Sequence, residues 1–451
     1  MNMNRKFTVY NFGCKVNQDE GGSLAALFVA QGWTPVQLFA EDAPDLIIVN
    51  TCTVTQMADK KARNLIRRCS REYPSAVLAV CGCYAQRAAD EIEALNAVHI
   101  IAGVDDRAKL PQLVEEYLNP ASDAASQSCD GKKTVVDVSD ISQSQKFCTI
   151  AEHSIQQRAR AYLKIEDGCD QFCHYCIIPH VRGPVRSMEP QQVLQQAAAL
   201  IADGHQEIVL SGIHIGAYGS DMGQSDALPE LIEQILGLSD SFRIRLGSIE
   251  PQQFSPRLMK LISEQPRLCR HLHIPLQSGC DKTLKAMGRR YDTAFYAQLL
   301  RDLRSCGGDI AFTSDVMVGF PDESTEDFEQ SLEFCLSCGF ADLHVFPYSR
   351  RPGTPAADFP HQVAQSVKVQ RVSLLSEAAV QMKQSYMKRY VGKVLCMIAE
   401  EQVIKDGLSW WRGHSDNYLE LLLPAEQAER GGYVQVQATK MADNILLVQR
   451  A

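Results

Sequence analysis

The chain has 451 residues, 45% hydrophobic and 22% charged, with a net charge of -9. That size and apolar fraction suit two or three globular domains with ordinary cores, and the acidic balance excludes a global field drawing the molecule onto nucleic acid, so an RNA partner requires local basic patches. The lack of about 18 consecutive apolar residues excludes a spanning helix, and the start "MNMNRKFTVYNFGCK" has no apolar core ahead of a cleavage site, which predicts a cytoplasmic protein with no membrane partner.

In chain order, "FTVYNF", "DLIIVN", "AVLAVCG" and "VHIIAGV" are apolar runs. Helical patterns follow them from about Gln18, Gln56 and Gln86, with a short one after the last. Strands separated by helices predict a doubly wound parallel α/β sheet over residues 1–118. Residues 119–150 begin rich in Ser, Asp and Gln without a helical stripe, and are expected to form a linker holding one strand. From about 159 the alternation resumes with "YLKIEDG", a helix 190–203, "EIVLSGI", a helix near 228–238, "FRIRLGSI", helices through 266, "HLHIPL", a helix to 304, "GGDIAFTSDVMVGF", a helix 326–338 and "DLHVFPYS". So many strand-helix units predict a (β/α) barrel or part-barrel over 151–389, closed by a helix near 362–389. Residues 390–451 change to short runs split by Gly and polar turns, the pattern of a small antiparallel β-barrel.

The cysteines carry the chemistry. In a reducing compartment they are not expected to form disulfides; Cys69, Cys129, Cys148, Cys269, Cys280, Cys306 and Cys396 read as packing residues, as do Cys335 and Cys338 on one predicted helix. The stretch "GCDQFCHYC" is different: it sets Cys169, Cys173 and Cys176 on a loop after a strand, where sites of parallel α/β structures sit. Thiolates are soft ligands for zinc or iron-sulfur clusters. Zinc wants four ligands, and His180 is a candidate to complete Cys3His. Three cysteines alone suit three irons of a four-iron cluster, leaving the fourth open. In the first domain Cys14, Cys52 and Cys83 each fall just past a predicted strand and would converge on the sheet's C-terminal edge, where helix N-termini favour thiolates. Cys81, two residues before Cys83, competes as the third ligand.

C-x3-C-x2-C with Tyr175 before its last cysteine resembles the cluster loop of radical S-adenosylmethionine (SAM) enzymes. With "GCKVNQ", "NTCTVT", "GCYAQ", "LSGIHIGAYG", "RLGSIEP", "HLHIPLQSGCDKTLKAMGRRY", "DVMVGFPDES" and "FPYSRRPGTPA", the chain is similar nearly throughout to the methylthiotransferase family, and its terminal barrel to the family's RNA-binding TRAM domain. The resemblance implies two 4Fe-4S clusters, one on Cys169, Cys173 and Cys176 whose open iron is chelated by SAM, the other on Cys14, Cys52 and Cys83 whose open iron binds the sulfur to be donated. It implies one SAM that methylates that sulfur and a second that yields a 5'-deoxyadenosyl radical. The partners it implies are the anticodon stem-loop of tRNA, a sulfur source and an electron donor such as flavodoxin or ferredoxin. "GCKVNQ" and "GCYAQ" most resemble the branch acting on threonylcarbamoyladenosine; isopentenyl-adenosine and an aspartate of a ribosomal protein are the targets of other branches, and a zinc-stabilised RNA-binding protein is the reading without catalysis.

Other residues carry two readings each. Gly212 and Gly216 would let backbone approach SAM closely, and Ser248 and Glu250 would bond ribose hydroxyls; turn and core roles are the alternatives. Lys60, Arg63, Arg67 and Arg71, with Lys61 and Arg68 alongside, make a basic stripe for RNA phosphate or a plain solvated helix face. Trp410, Trp411 and Arg412 would stack on bases or pack the barrel. Arg182, Arg186, Arg289, Arg290, Arg350 and Arg351 would reach phosphate, the SAM carboxylate or surface ion-pair partners.

Overall fold

Along Leu46–Thr51 every residue is buried; Leu46 and Ile48 pack into one hydrophobic cluster, Ile47 and Val49 into another. A strand apolar on both sides belongs inside a parallel sheet covered on both faces. The computed structural model, which describes residues 5–119, 133–151, 154–155 and 159–451, has that sheet: β1 (Lys6–Asn11), β2 (Thr34–Pro35), β3 (Leu46–Thr51), β4 (Val77–Gly82), β5 (Ile100–Ala102) and β6 (Val135–Asp137), all parallel, in the order β2-β1-β3-β4-β5-β6. One face is covered by α1 (Lys15–Ala30) and α5 (Leu110–Leu118), through Leu24, Phe28, Leu110 and Val114. The other is covered by α2 (Gln56–Glu72), α3 (Cys83–Arg87) and α4 (Ala89–Glu93), through Ala62, Ile66, Cys69, Tyr84 and Ile92. The strand expected in the linker is β6, added to the sheet edge; Cys129 lies outside the described residues.

The described chain forms two compact units: Met1–Gln156 with Asp167–Gln171 and Cys176–Met188, and Gln157–Glu166 with Phe172–Tyr175 and Glu189–Ala451. Along the chain β7 (Ala161–Lys164), in the second unit, is followed by β8 (Glu166–Asp167), by α6 (Ile178–Arg182) and β9 (Arg186–Ser187), both in the first unit, and by α7 (Pro190–Ala202) in the second. Then come β10 (Glu207–Ser211), α8 (Ala227–Leu236), β11 (Arg243–Leu246), α9 (Pro256–Glu264), β12 (His271–His273), α10 (Asp281–Ala286), α11 (Thr293–Ser305), β13 (Ala311–Val318), α12 (Thr325–Cys338), β14 (Asp342–Pro347) and α13 (Gln365–Lys388). The strands pair as β7-β10-β11 and β12-β13-β14, all parallel; bridges Ile244–Leu268 and Ser248–His273 join the two sets. Six parallel strands in sequence order make a part-barrel.

The last strands, β15 (Val394–Lys405), β16 (Leu408–Ser415), β17 (Glu420–Pro424), β18 (Tyr433–Ala442) and β19 (Ile445–Arg450), close a five-stranded barrel, antiparallel except where β17 meets β19 in parallel. It is pinned to the part-barrel by two buried arginines of β11. Arg245 donates to the carbonyls of Ser415 (2.9 Å) and Asp416 (3.0 Å), Arg243 to those of Cys396 (3.2 Å) and His414 (3.3 Å), and Glu207 is ion-paired to both arginines. No helix among the described residues is long and apolar enough to cross a membrane.

Candidate metal centres

The first trio is built by turns at the ends of three neighbouring strands. Cys14 follows β1, Cys52 follows β3 and Cys83 follows β4, and β1, β3 and β4 are adjacent in the sheet. Ligands of doubly wound sheets bind outside the strands' carboxyl ends, where the strand order reverses, and here it reverses between β1 and β3. Two of the turns need glycine. Gly13 and Gly82 both have φ of +93°, a region that favours glycine, and a Cβ on Gly13 would stand 2.6 Å from Cys52 Cβ and 2.9 Å from its Sγ. Cys14 is exposed; Cys52 and Cys83 are buried. Burial, with Cys83 and Cys14 nearby, pushes the Cys52 thiol up to about 12, and burial also raises Cys83. Thiols so placed ionise when a cationic metal centre takes them as ligands.

Cys81 points elsewhere. It lies within β4 on the face covered by α1 and α5, packed with Val77, Ala79 and Ala102, fully buried and pushed up to about 12 by burial. The turn at Gly82 separates it from Cys83, whose neighbours are Ile177 and Val181. The geometry supports Cys83 as the third member.

A buried polar network surrounds this trio. Arg182 donates Nε–H to Cys83 Sγ (3.2 Å), Nη1–H to Glu20 Oε1 (2.6 Å) and Asp167 Oδ2 (3.1 Å), and Nη2–H to Asn17 Oδ1 (2.7 Å). Glu20 also takes both terminal nitrogens of Arg107, one of them at 2.9 Å. Asn17 donates to the carbonyls of Phe12 (2.7 Å) and Thr51 (3.0 Å), tying the turn after β1 to the end of β3. Asn17, Glu20 and Arg107 escaped the sequence reading. The available signal was Glu20 at helical spacing with Leu24 and Phe28, a charge in an apolar stripe. Arg182 and Arg186, read as surface or ligand-reaching groups, are buried instead; Arg186 Nη2 lies 3.4 Å from Asp105 Oδ1 and 3.7 Å from Asp167 Oδ2.

The second trio sits between β8 and α6. Cys169 donates its backbone N–H to Gly183 O (3.0 Å) and is partly exposed, as is Cys176. Cys173 is buried, and its Sγ accepts from Arg289 Nη1 (3.3 Å). Next to it, the backbone of His174 is held by Met287 O (3.0 Å) and by Ala356 N–H (2.8 Å), and Tyr175 packs on Met287, Met317 and Phe320. His180 is exposed. A tetrahedral zinc draws its sulfurs to about 3.8 Å apart. Among the described residues, only His273, Asp315 and His344 bring three His, Cys, Asp or Glu ligand atoms within 4.8 Å of one another. Soft thiolates spread over three turns fit the larger four-iron cluster.

The other expected site residues divide. At Gly212 a Cβ would come 2.7 Å from Glu166 Oε2, and at Gly216 2.6 Å from Gln253 Cβ, so the close approach is to the chain's own side chains. Ser248 is exposed after β11, while Glu250 is ion-paired to Arg289. On α2, Lys60, Arg67 and Arg71 are exposed. Arg63 leaves that stripe: it is half-buried, donating to Tyr84 OH (2.8 Å) beside Glu91. Trp411 is a correction: its ring lies in the barrel core and its Nε1–H donates to Ala428 O (2.9 Å) and Ala425 O (3.1 Å), because on β16 it alternates with outward residues. Trp410 is half-buried; Arg412 is exposed and paired with Glu401 and Glu420. Arg290 is exposed, Arg350 is exposed near Asp358, and Arg351 is buried. Cys335 and Cys338 are buried on α12, as packing residues are.

Comparison with known proteins bears on both centres. Residues 163–335 match the radical SAM superfamily, and residues 6–103 match uncharacterized protein family UPF0004. The chain is 37% identical over 435 residues to threonylcarbamoyladenosine tRNA methylthiotransferase MtaB of Bacillus subtilis (strain 168), covering 96% of this chain and 93% of that protein. It is 31% identical to a tRNA-2-methylthio-N(6)-dimethylallyladenosine synthase of Nitratidesulfovibrio vulgaris (strain Hildenborough), covering 99% and 98%. Among solved structures, the radical SAM methyltransferase TsrM of Kitasatospora setae, with cobalamin and a 4Fe-4S cluster bound, superposes with a TM-score of 0.58 at 15% identity over 79% of this chain and 77% of that one. That likeness is one of fold.

Proposed function

The chain belongs to the methylthiotransferase family of radical SAM enzymes, and from that premise we propose that it converts N6-threonylcarbamoyladenosine beside the tRNA anticodon to its 2-methylthio derivative. The family uses SAM and four-iron clusters. One observation carries the assignment of roles: three neighbouring strands deliver Cys14, Cys52 and Cys83 to one sheet edge, while a separate C-x3-C-x2-C loop carries a second trio. Attaching sulfur to an unreactive C–H bond calls for two centres, one to activate SAM and one to hold the sulfur. In this reading Cys169, Cys173 and Cys176 hold the first, Cys14, Cys52 and Cys83 the second. When bound, the first cluster supplies the electron that cleaves the SAM sulfonium.

The chain's own residues orient these ligands. Arg289 donates to Cys173 Sγ while paired with Glu250, and Arg182 donates to Cys83 Sγ; such N–H···S bonds tune a cluster's potential. The substrate choice rests on "GCKVNQ" and "GCYAQ" and on the likeness to MtaB. Mass spectrometry of tRNA nucleosides from a strain lacking this protein is expected to show loss of the methylthio form of threonylcarbamoyladenosine alone. Loss of the methylthio isopentenyl form instead would overturn the choice. The remaining partners are an electron donor of flavodoxin or ferredoxin type and a sulfur source.

RNA contact is assigned to the exposed stripe Lys60, Arg67 and Arg71, with the terminal barrel as a TRAM-like second surface through Trp410 and Arg412. Each phosphate contact contributes about 0.7 to 0.9 to the slope of log affinity against log salt. The triple exchange of Lys60, Arg67 and Arg71 to Gln is therefore expected to weaken tRNA binding and flatten that slope by roughly 2 to 3. The exchange Arg63→Gln, which removes the Arg63 N–H from Tyr84 OH while that hydroxyl still donates to Glu91 (2.9 Å), is expected to leave the slope as it was. Filter binding from low to high salt checks both, and an unchanged slope in the triple variant removes the stripe from the interface.

A further inference from the structure

On the part-barrel, three adjacent strands bring together side chains that neither cysteine trio uses. His273 ends β12, Asp315 lies in β13 and His344 in β14. Asp315 Oδ1 is 3.1 Å from His344 Nδ1, and Asp315 Oδ2 is 3.3 Å from His273 Nε2; the two rings are 5.8 Å apart, tilted by 30°. One ligand atom from each residue lies within 4.8 Å of the others. Side chains alternate along a strand, and Ser314, between Thr313 and Asp315, turns its hydroxyl toward Tyr296 of α11 (3.5 Å). Thr313 and Asp315 therefore face away from that helix. His344 is exposed and Asp315 partly so, so solvent reaches the group.

We propose that His273, Asp315 and His344 form a binding site for a first-row divalent transition ion, separate from the cysteine centres. Neutral imidazole and carboxylate are ligands for such ions, and two His with one carboxylate leave coordination positions open. His344 Nδ1 lies 3.1 Å from one oxygen of Asp315 and His273 Nε2 3.3 Å from the other, so the carboxylate stands between the two rings, with one ligand atom from each residue within 4.8 Å of the others.

A further hydrogen bond orients one ligand, as metal-bound histidines require. Thr313 Oγ1 is 3.0 Å from His273 Nδ1 and 2.8 Å from His271 Nε2. A hydroxyl has one proton to give. If Thr313 gives it to His271, His273 donates Nδ1–H to Thr313, and its Nε2 then faces a carboxylate oxygen across either a second proton or a metal ion. If Thr313 gives it to His273, that ring donates Nε2–H to Asp315, and the trio closes on itself without metal. Thr313 thus accommodates both the loaded and the empty state by one proton flip.

The test uses the anaerobically reconstituted full chain with both clusters in place, dialysed against micromolar zinc and analysed for zinc and iron. One zinc per chain is expected with the iron content unchanged. Asp315→Asn and His344→Ala are each expected to lose that zinc and keep the iron; His344 is exposed, so its exchange spares the fold even where the Asp315 exchange does not. Zinc uptake equal in wild type and His344→Ala overturns the site, as does zinc gained only at the expense of iron, which places it on cysteines. Neither result depends on which adenosine is modified.

Discussion

Cys83→Ala is expected to lower the iron of the anaerobically reconstituted protein from about eight to about four atoms per chain and to abolish methylthio transfer, whereas Cys81→Ala leaves both intact. The two thiols are two residues apart, and on a continuing strand they would share a face. Gly82, at φ of +93°, breaks that repeat. Cys81 stays in the apolar layer under α1 and α5, while Cys83 opens α3 and receives the Arg182 N–H. Removing Cys81 deletes one buried sulfur and costs packing of the order of 1 kcal/mol; removing Cys83 deletes one of the three proposed ligands. Cluster-specific spectroscopy with the SAM-binding centre intact separates loss of one cluster from general collapse. Equal iron in Cys83→Ala and wild type would take Cys83 out of the centre.

The parts of this molecule legible in sequence are those where one physical rule acts alone. Apolar runs split by helical patterns mark the parallel sheets, because strands covered on both faces are mostly apolar, and the positions of Cys14, Cys52 and Cys83 after three such runs mark the convergence. Where two rules compete, sequence alone misled. Trp411 and Arg412 are neighbours in "SWWRG" and share both readings, base stacking and barrel packing, yet the strand alternation buries the first and exposes the second. Arg63 falls in the basic stripe by spacing, but Tyr84, 21 residues on, claims its guanidinium. Gly212 and Gly216 are tight for a reason that only tertiary neighbours reveal, since Glu166 and Gln253 occupy the space beside them. The His273, Asp315 and His344 group draws one residue from each of three strands with no shared motif, so it becomes visible only when the strands are in register.

Arg182→Met is expected to loosen the first centre and shift its potential. The guanidinium is 1% exposed and serves four acceptors, Glu20, Asp167, Asn17 and Cys83. Glu20, equally buried, shares its carboxylate between Arg182 and Arg107. Taking Arg182 out removes the nearer of the two arginines beside Asp167, 3.1 Å away, and leaves Arg186 at 3.7 Å. Breaking a buried pair from one side costs about 3 to 5 kcal/mol, which is roughly two to four orders of magnitude in local opening. Amide hydrogen exchange of the peptides around Phe12–Glu20 and Gly82–Arg87 is expected to speed up by roughly that factor, with the terminal barrel unaffected. Arg182→Lys keeps the charge but lacks the planar fork, so it restores part of the protection. A structural role alone would stop there. Because the lost N–H also pointed at a ligand sulfur, where it stabilises the more negative reduced state, the cluster on Cys14, Cys52 and Cys83 is expected to become harder to reduce in Arg182→Met. Redox titration of that cluster decides the point: an unchanged midpoint potential together with faster exchange would make Arg182 a brace of the fold with no hand in the chemistry.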